Sequence, residues 1–267
     1  MPLARNSDKT MLSGTKKIIR KIFRKLGYQI VPVPVIAPIE EFPKDMEAEF
    51  RNIYERSRNC TMTSIERMYA LYQAVQYVIQ AKVQGDFVEC GVWKGGSAML
   101  MAGTLLSLNE TGRKIYLYDT FTGMPKPTEK DNEIKSGQPA LDTWQINQRK
   151  DHNEFCYASL AEVKNNLLST KYPQDNLVFI QGKVEDTIPM TSPKQIAILR
   201  LDTDWFASTD YELRHLFPLV SKGGVVIIDD YGYWSGAKEA TDKYFADFNI
   251  PVLLNRIDYT GRIMIKL

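Results

Sequence analysis

Residues 85–103 read GDFVECGVWKGGSAMLMAG. Asp86–Cys90 is a short run with an apolar core and two acids, Asp86 and Glu89, which predicts a buried strand. Gly91 to Gly96 make a glycine-rich turn, and a helix is expected from Ser97. Strand, glycine turn and helix in this order cradle a nucleoside-like ligand at the end of a parallel sheet. Glycine lets the backbone come close to such a ligand, because a Cβ would fill the same space. The spacing is Glu89-x-Gly91-x-x-x-Gly95 rather than G-x-G-x-x-G. Taken alone, the stretch still allows the lesser reading of a glycine-rich βα turn with no ligand, so the flanking chain has to decide.

Upstream, Asn59–Val83 predicts a helix starting near Ile65, capped by Thr63 or Ser64. Tyr69, Tyr72, Ala74, Tyr77 and Val78 give it a wide apolar face, and it would cover the ligand site from outside. Asp45–Arg58 also reads as helix. Before it lies an arm, residues 1–43. Thr15–Leu26 carries an apolar stripe of Ile18, Ile19, Ile22, Phe23 and Leu26 opposite a basic face, stopped by Gly27. Val31–Pro43 is a proline-rich extended linker. Such an arm suits contacts within a homo-oligomer, with a membrane-surface helix as the other option. Residues 44–267 then form the main domain.

Downstream, Ser97–Leu108 is a buried helix and Ile115–Asp119 a second strand. Asp119 at its end is suited to accept from a ribose diol. Residues 122–157 are long, polar and rich in Pro, Gly, Lys and Asp, which predicts a lid or mobile insertion. A helix from Ser159, a strand NLVFIQ, and a turn from Gly182 to Pro189 follow. The strand IAILRL runs into LDTD, with a helix capped near Ser208. GGVVIIDD is a fifth strand, with a helix capped near Ser235, and a hairpin closes around Tyr259, Thr260 and Gly261. Strands alternating with helices, then a hairpin, predict a doubly wound, mostly parallel seven-stranded sheet with a C-terminal antiparallel hairpin.

Two neighbouring strands end in carboxylates, Asp202 and Asp204 in one, Asp229 and Asp230 in the other. Ligands bind beyond the carboxyl ends of strands in open α/β sheets, so these acids share an edge with the glycine turn. Crowded carboxylates repel unless a cation sits among them. All-oxygen ligation suits Mg²⁺ or Ca²⁺, with Asp202, Asp229 and Asp230 as candidate ligands.

Composition narrows the classes. The 267 residues are 44% hydrophobic and 25% charged, with a net charge of +2. That balance gives no reason to expect a nucleic-acid partner. No apolar run reaches a membrane span, and the N-terminus lacks a signal-peptide core. Cys60, Cys90 and Cys156 show no CxxC spacing, as expected for reduced thiols in a cytoplasmic protein. His152 and His215 are too few to suggest zinc.

An acid in the first strand followed by this glycine spacing is the first motif of S-adenosylmethionine-dependent methyltransferases. ECGVWKGGS, YDTFTGMP, GKVEDTIP, LRLDTDWFAST and GGVVIIDDYG, in this order, resemble the macrocin O-methyltransferase (TylF) family, from about Thr61 to the C-terminus. The resemblance implies a class I methyltransferase (Rossmann-like) fold, S-adenosylmethionine, Mg²⁺, and methylation of a sugar hydroxyl in a glycosylated natural product. It implies cofactor contacts at Thr63, Glu89, Gly91, Ser97, Asp119, Gly182 and Val184, with the GKVEDT turn near the adenine. It also implies metal ligation by Asp202, Asp229 and Asp230, and a general-base role for Asp204. The acceptor would be a small-molecule glycoside or a nucleotide sugar. Catechol methyltransferases use a lysine near the metal acids, and DDYGYW offers none until Lys238, which favours an aliphatic alcohol. A D-x-D glycosyltransferase is the rival from another class, but it leaves ECGVWKGG and the second acid pair unexplained.

Overall fold

The structure is a computed structural model that describes residues 42–267. The expected basic helix and nearly all of the proline-rich linker lie outside the described residues. Asp45–Leu267 makes one compact unit.

The unit opens with helix α1 (Ala48–Ser57) and helix α2 (Ile65–Gln80), followed by β1 (Asp86–Cys90) and α3 (Gly96–Ser107). Then come β2 (Ile115–Asp119), α4 (Ala140–Asn147), α5 (Leu160–Ser169), β3 (Leu177–Gln181) and the single-turn α6 (Val184–Thr187). β4 (Ile196–Leu201), α7 (Phe206–His215), β5 (Val220–Ile228), α8 (Ser235–Asp247), β6 (Asn255–Arg256) and β7 (Arg262–Ile265) complete it. The seven strands form one sheet in the order β3-β2-β1-β4-β5-β7-β6. β7 runs antiparallel to β5 and β6, and the other pairings are parallel.

β1 and β4 lie at the centre, and helices cover both faces of the sheet. This is why their sequences are continuous apolar runs rather than alternating ones. Every residue of β4 is buried, including Arg200. Parallel register sets Glu89 beside Arg200. The ladder continues past the strands: Asp202 donates its N–H to Cys90 and Asp229 to Leu201. These bonds bring both acidic ends to the edge that carries the glycine turn.

The Ser64 hydroxyl caps α2 as expected, accepting from the Arg67 N–H at 3.1 Å. The buried face differs from the expected one. It is Met68, Leu71, Tyr72, Ala74, Val75 and Val78, so Tyr72, Ala74 and Val78 fall where expected while Tyr69 and Tyr77 lie at its margin. One cap also differs, the one expected near Ser208. α7 starts at Phe206, and Ser208 sits inside it, donating to the Thr203 and Trp205 carbonyls. α8 starts at Ser235 itself.

Residues 122–157 are not a structureless lid. They contain α4, and antiparallel bridges pair Asn132 with Pro139 and Glu133 with Trp234. Ser235 Oγ donates to the Lys130 carbonyl, and Trp205 Nε1 donates to Pro125 O at 2.9 Å. Asp131 is completely buried. Polar residues that suggested mobility in the sequence are here spent on bonds to α7 and α8.

Candidate active site

A cavity of about 570 Å³ opens at the carboxyl edge of the sheet. Its two ends are built from different motifs. At one end stand the glycine turn, Ser97, Asp119 and the segment Cys60–Thr63 that precedes α2. Gly182, Val184 and Glu185 close this end. Of the residues expected to hold the cofactor, Thr63, Gly91, Ser97, Asp119, Gly182 and Val184 all line the cavity. Asp119 fixes the turn: its carboxylate accepts from the Val92 N–H at 2.7 Å, Trp93 at 3.1 Å and Phe121 at 2.7 Å. Those amides oppose the upward push that burial gives its pKa.

Glu89 is the exception. It is buried beneath the cavity and is not part of its lining. One oxygen accepts from Arg200 Nη1 at 2.7 Å, and the other has no hydrogen-bond partner. Desolvation pushes its pKa up to about 8. Glu89 therefore anchors an arginine from beneath the cavity.

At the other end, single ligand atoms of Asp202, Asp204 and Asp230 all lie within 4.8 Å of one another. Burial raises Asp204 to about 8, helped by the charge of Asp202, and burial pushes Asp230 well up. The Asp204 and Asp230 carboxyls lie side by side, with Trp234 next to Asp204. One oxygen of Asp230 is buried with no partner. Three converging carboxylates with an orphaned oxygen are a donor set that fits a hard divalent cation.

Asp229, expected as a ligand, is held differently. One oxygen is bonded to Arg200 and the other to Arg67. Arg200 also reaches Asp202 at 2.7 Å, so one guanidinium spans three acids. Arg67 joins Asp258 at 3.0 Å, which ties α2 to the tip of the β6–β7 hairpin. Both arginines escaped the sequence reading. Arg200 did leave a signal: a cation within IAILRL, a run otherwise fit for complete burial, demands carboxylate partners. Arg67 left none, because its partners are separated from it by more than 160 residues.

Aromatic side chains wall the acid end. Trp234 packs edge-on against Trp205, ring centres 5.1 Å apart, and against Tyr233 at 5.0 Å. Phe155 of the insertion packs on Trp205 at 6.1 Å. Met124, Glu133, Gln138 and Thr143 bring the insertion into the cavity lining, and Tyr259 brings in the hairpin. Lys238 is not in the lining. It is bonded to Asp242 on the outer side of α8, so it offers no base to the acids. Among the described residues, no helix is long and apolar enough to cross a membrane.

This strand order, with a glycine turn after β1 and an acid ending β2, is the class I methyltransferase fold. The chain belongs to the macrocin O-methyltransferase (TylF) family, whose model matches residues 38–266. It is an O-methyltransferase. It is 33% identical over 244 residues to 8-demethyl-8-(2,3-dimethoxy-alpha-L-rhamnosyl)-tetracenomycin-C 4'-O-methyltransferase of Streptomyces olivaceus, covering 91% of this chain and 89% of that one. It is 35% identical over 201 residues to demethyldecarbamoylnovobiocin O-methyltransferase of Streptomyces niveus, covering 75% and 73%. Among solved structures it is similar to the O-methyltransferase NovP, with a TM-score of 0.67 and 34% identity over 78% of this chain and 82% of that one.

Proposed function

We propose that the protein transfers the methyl group of S-adenosylmethionine to a sugar hydroxyl of a glycosylated natural product. The observation that carries this reading is one cavity with the glycine turn and Asp119 at one end and converging aspartates at the other. The relatives named for O-methylation of a rhamnosyl-tetracenomycin and of demethyldecarbamoylnovobiocin support it.

S-adenosylmethionine supplies an electrophilic sulfonium methyl when bound. Gly91, Ser97 and Asp119 would hold its amino-acid and ribose parts, and Gly182 and Val184 would face the adenine. A sugar hydroxyl is a poor acid, so the chain has to fix its oxygen in line with the methyl and take its proton. Asp204 is suited to take the proton. It faces the cavity, and burial raises its pKa, which makes its carboxylate a stronger base. Trp234 and Tyr233, with the insertion, exclude water from the acceptor side. Asp202 and Asp230 are the proposed Mg²⁺ ligands. A divalent cation held there supplies Lewis-acid polarisation of an alcohol oxygen. Asp229 enters this reading as the anchor of Arg67 and Arg200, since both its oxygens are already bonded.

The test is incubation with labelled S-adenosylmethionine and a panel of glycosides, their aglycones and nucleotide sugars, with products analysed by mass. Methyl transfer to the sugar of a glycoside is the expected result. Transfer only to aglycones would overturn the acceptor class. The reading includes a homo-oligomer formed through the residues before Phe42, checked by deleting them and measuring mass in solution.

A further inference from the structure

Asp204 stands on a turn that two acids hold from opposite sides, and neither acid lines the cavity. The first is Glu212 on α7, completely buried. Its carboxyl accepts the Thr203 hydroxyl at 3.0 and 3.2 Å. The second is Asp131 of the insertion, also completely buried. Its Oδ1 accepts the Phe206 N–H at 2.7 Å, and its Oδ2 accepts from the Thr128 N–H at 2.7 Å and hydroxyl at 2.8 Å. Room for this bond exists because residue 236 is glycine: a Cβ there would stand 2.0 Å from Asp131 Oδ1.

Asp204 and Trp205 lie between the two anchored residues. Asp204 has φ +67°, in the left-handed region. Aspartate tolerates that conformation better than most residues, but an unrestrained turn leaves it. Here the Thr203 carbonyl accepts the Trp205 N–H at 2.7 Å while its hydroxyl is held by Glu212. The chain is therefore pinned just before and just after the residue that carries the strain.

We infer that Glu212 and Asp131 are positioning residues for proton transfer, acting through Thr203 and Phe206 to keep the Asp204 carboxylate in the cavity floor beside Trp234 and Asp230. The insertion is then part of the support of the base, and Asp131 gives it that role from outside the cavity. The inference rests on Asp204 being the base, as proposed above.

Thr203→Val keeps the side-chain shape and removes the bond to Glu212. Its turnover is expected to fall about 10- to 100-fold, the scale of a small displacement of a reacting group. The affinity for S-adenosylhomocysteine, read by calorimetry, is expected to stay within about twofold, because the loss falls on kcat and not on cofactor binding. Thr203→Ser keeps the hydroxyl and should recover most of the turnover. Asp131→Ala, assayed on protein shown to be folded by its melting curve, should lose kcat in the same way, and Asp131→Asn should lose less. Asp204→Asn is measured alongside. Parent turnover in Thr203→Val beside an inactive Asp204→Asn overturns the positioning role alone. Parent turnover in Asp204→Asn overturns the base, and this inference with it. A Thr203→Val whose turnover loss is matched by an equal loss of cofactor affinity also overturns it, since general damage to the edge would explain both.

Discussion

Gly91 and Asp202 meet backbone to backbone: a Cβ on Gly91 would stand 1.9 Å from the Asp202 carbonyl oxygen. Gly91 also has φ +83°. The turn that faces the cofactor end and the turn that begins the acid end are thus packed directly on each other. A disturbance at one is felt at the other without passing through any ligand.

Gly91→Ala should therefore do more than fill ligand space. The left-handed conformation alone costs an L-residue about 1–2 kcal/mol, and the collision adds to that. Affinity for S-adenosylhomocysteine and the melting temperature are expected to fall together. Titration calorimetry and a thermal melt check this, and an unchanged melting temperature would contradict the contact.

Arg200 is nearly completely buried and spans Glu89, Asp202 and Asp229. Arg200→Met leaves three acids without a shared cation, and urea denaturation should show a loss of about 3–5 kcal/mol. Arg200→Lys should recover little, because a single ammonium cannot fork to three carboxylates. Glu89→Gln should cost far less, below about 1.5 kcal/mol, since Glu89 already has one unpartnered oxygen and a raised pKa.

Asp202→Asn and Asp230→Asn are expected to weaken Mn²⁺ binding, followed by electron paramagnetic resonance, by at least about tenfold. Asp229→Asn should instead show its main effect as lost stability, because two guanidiniums lose a partner. Loss of Mn²⁺ with stability intact in Asp229→Asn would make Asp229 a ligand after all. Full turnover in excess EDTA would remove the cation from the reading.

Asp258 accepts from Ser64 Oγ at 2.7 Å, Arg67 Nε at 3.0 Å, and the Thr260 and Gly261 N–H groups at 2.9 and 2.7 Å. Those bonds hold the start of α2 against the hairpin tip that carries Tyr259. Asp258→Ala should lower stability by about 2–4 kcal/mol, since bonds to a charged acceptor are among the stronger ones. It should also raise KM for both substrates, because Thr61–Thr63 and Tyr259 line the cavity. Steady-state kinetics at a temperature well below the melt separates the two effects.

Local sequence determined the elements. Apolar runs marked the strands, the glycine turn marked the break after β1, and acids at strand ends marked the edge where the cavity opens. Alternation of strands with helices was enough to make the sheet doubly wound and mostly parallel, because parallel neighbours need helical crossovers. Side chains facing this edge are set by the sheet itself, so Gly91, Asp119, Asp202, Asp204 and Asp230 could be placed in advance. Pairings across long separations could not. Asp229 looks like its neighbour Asp230 in the sequence, and only Arg67 from α2 and Arg200 from β4 take it out of the free acids. Glu89 reads as a cofactor contact in the sequence, and only the register shows that it sits beside Arg200 beneath the cavity. The insertion looked mobile because its residues are polar, and polarity does not say whether the partner is water or α7. Which carboxylates stay free and which are neutralised is a property of folded distances, and those distances exist only once the crossovers have closed.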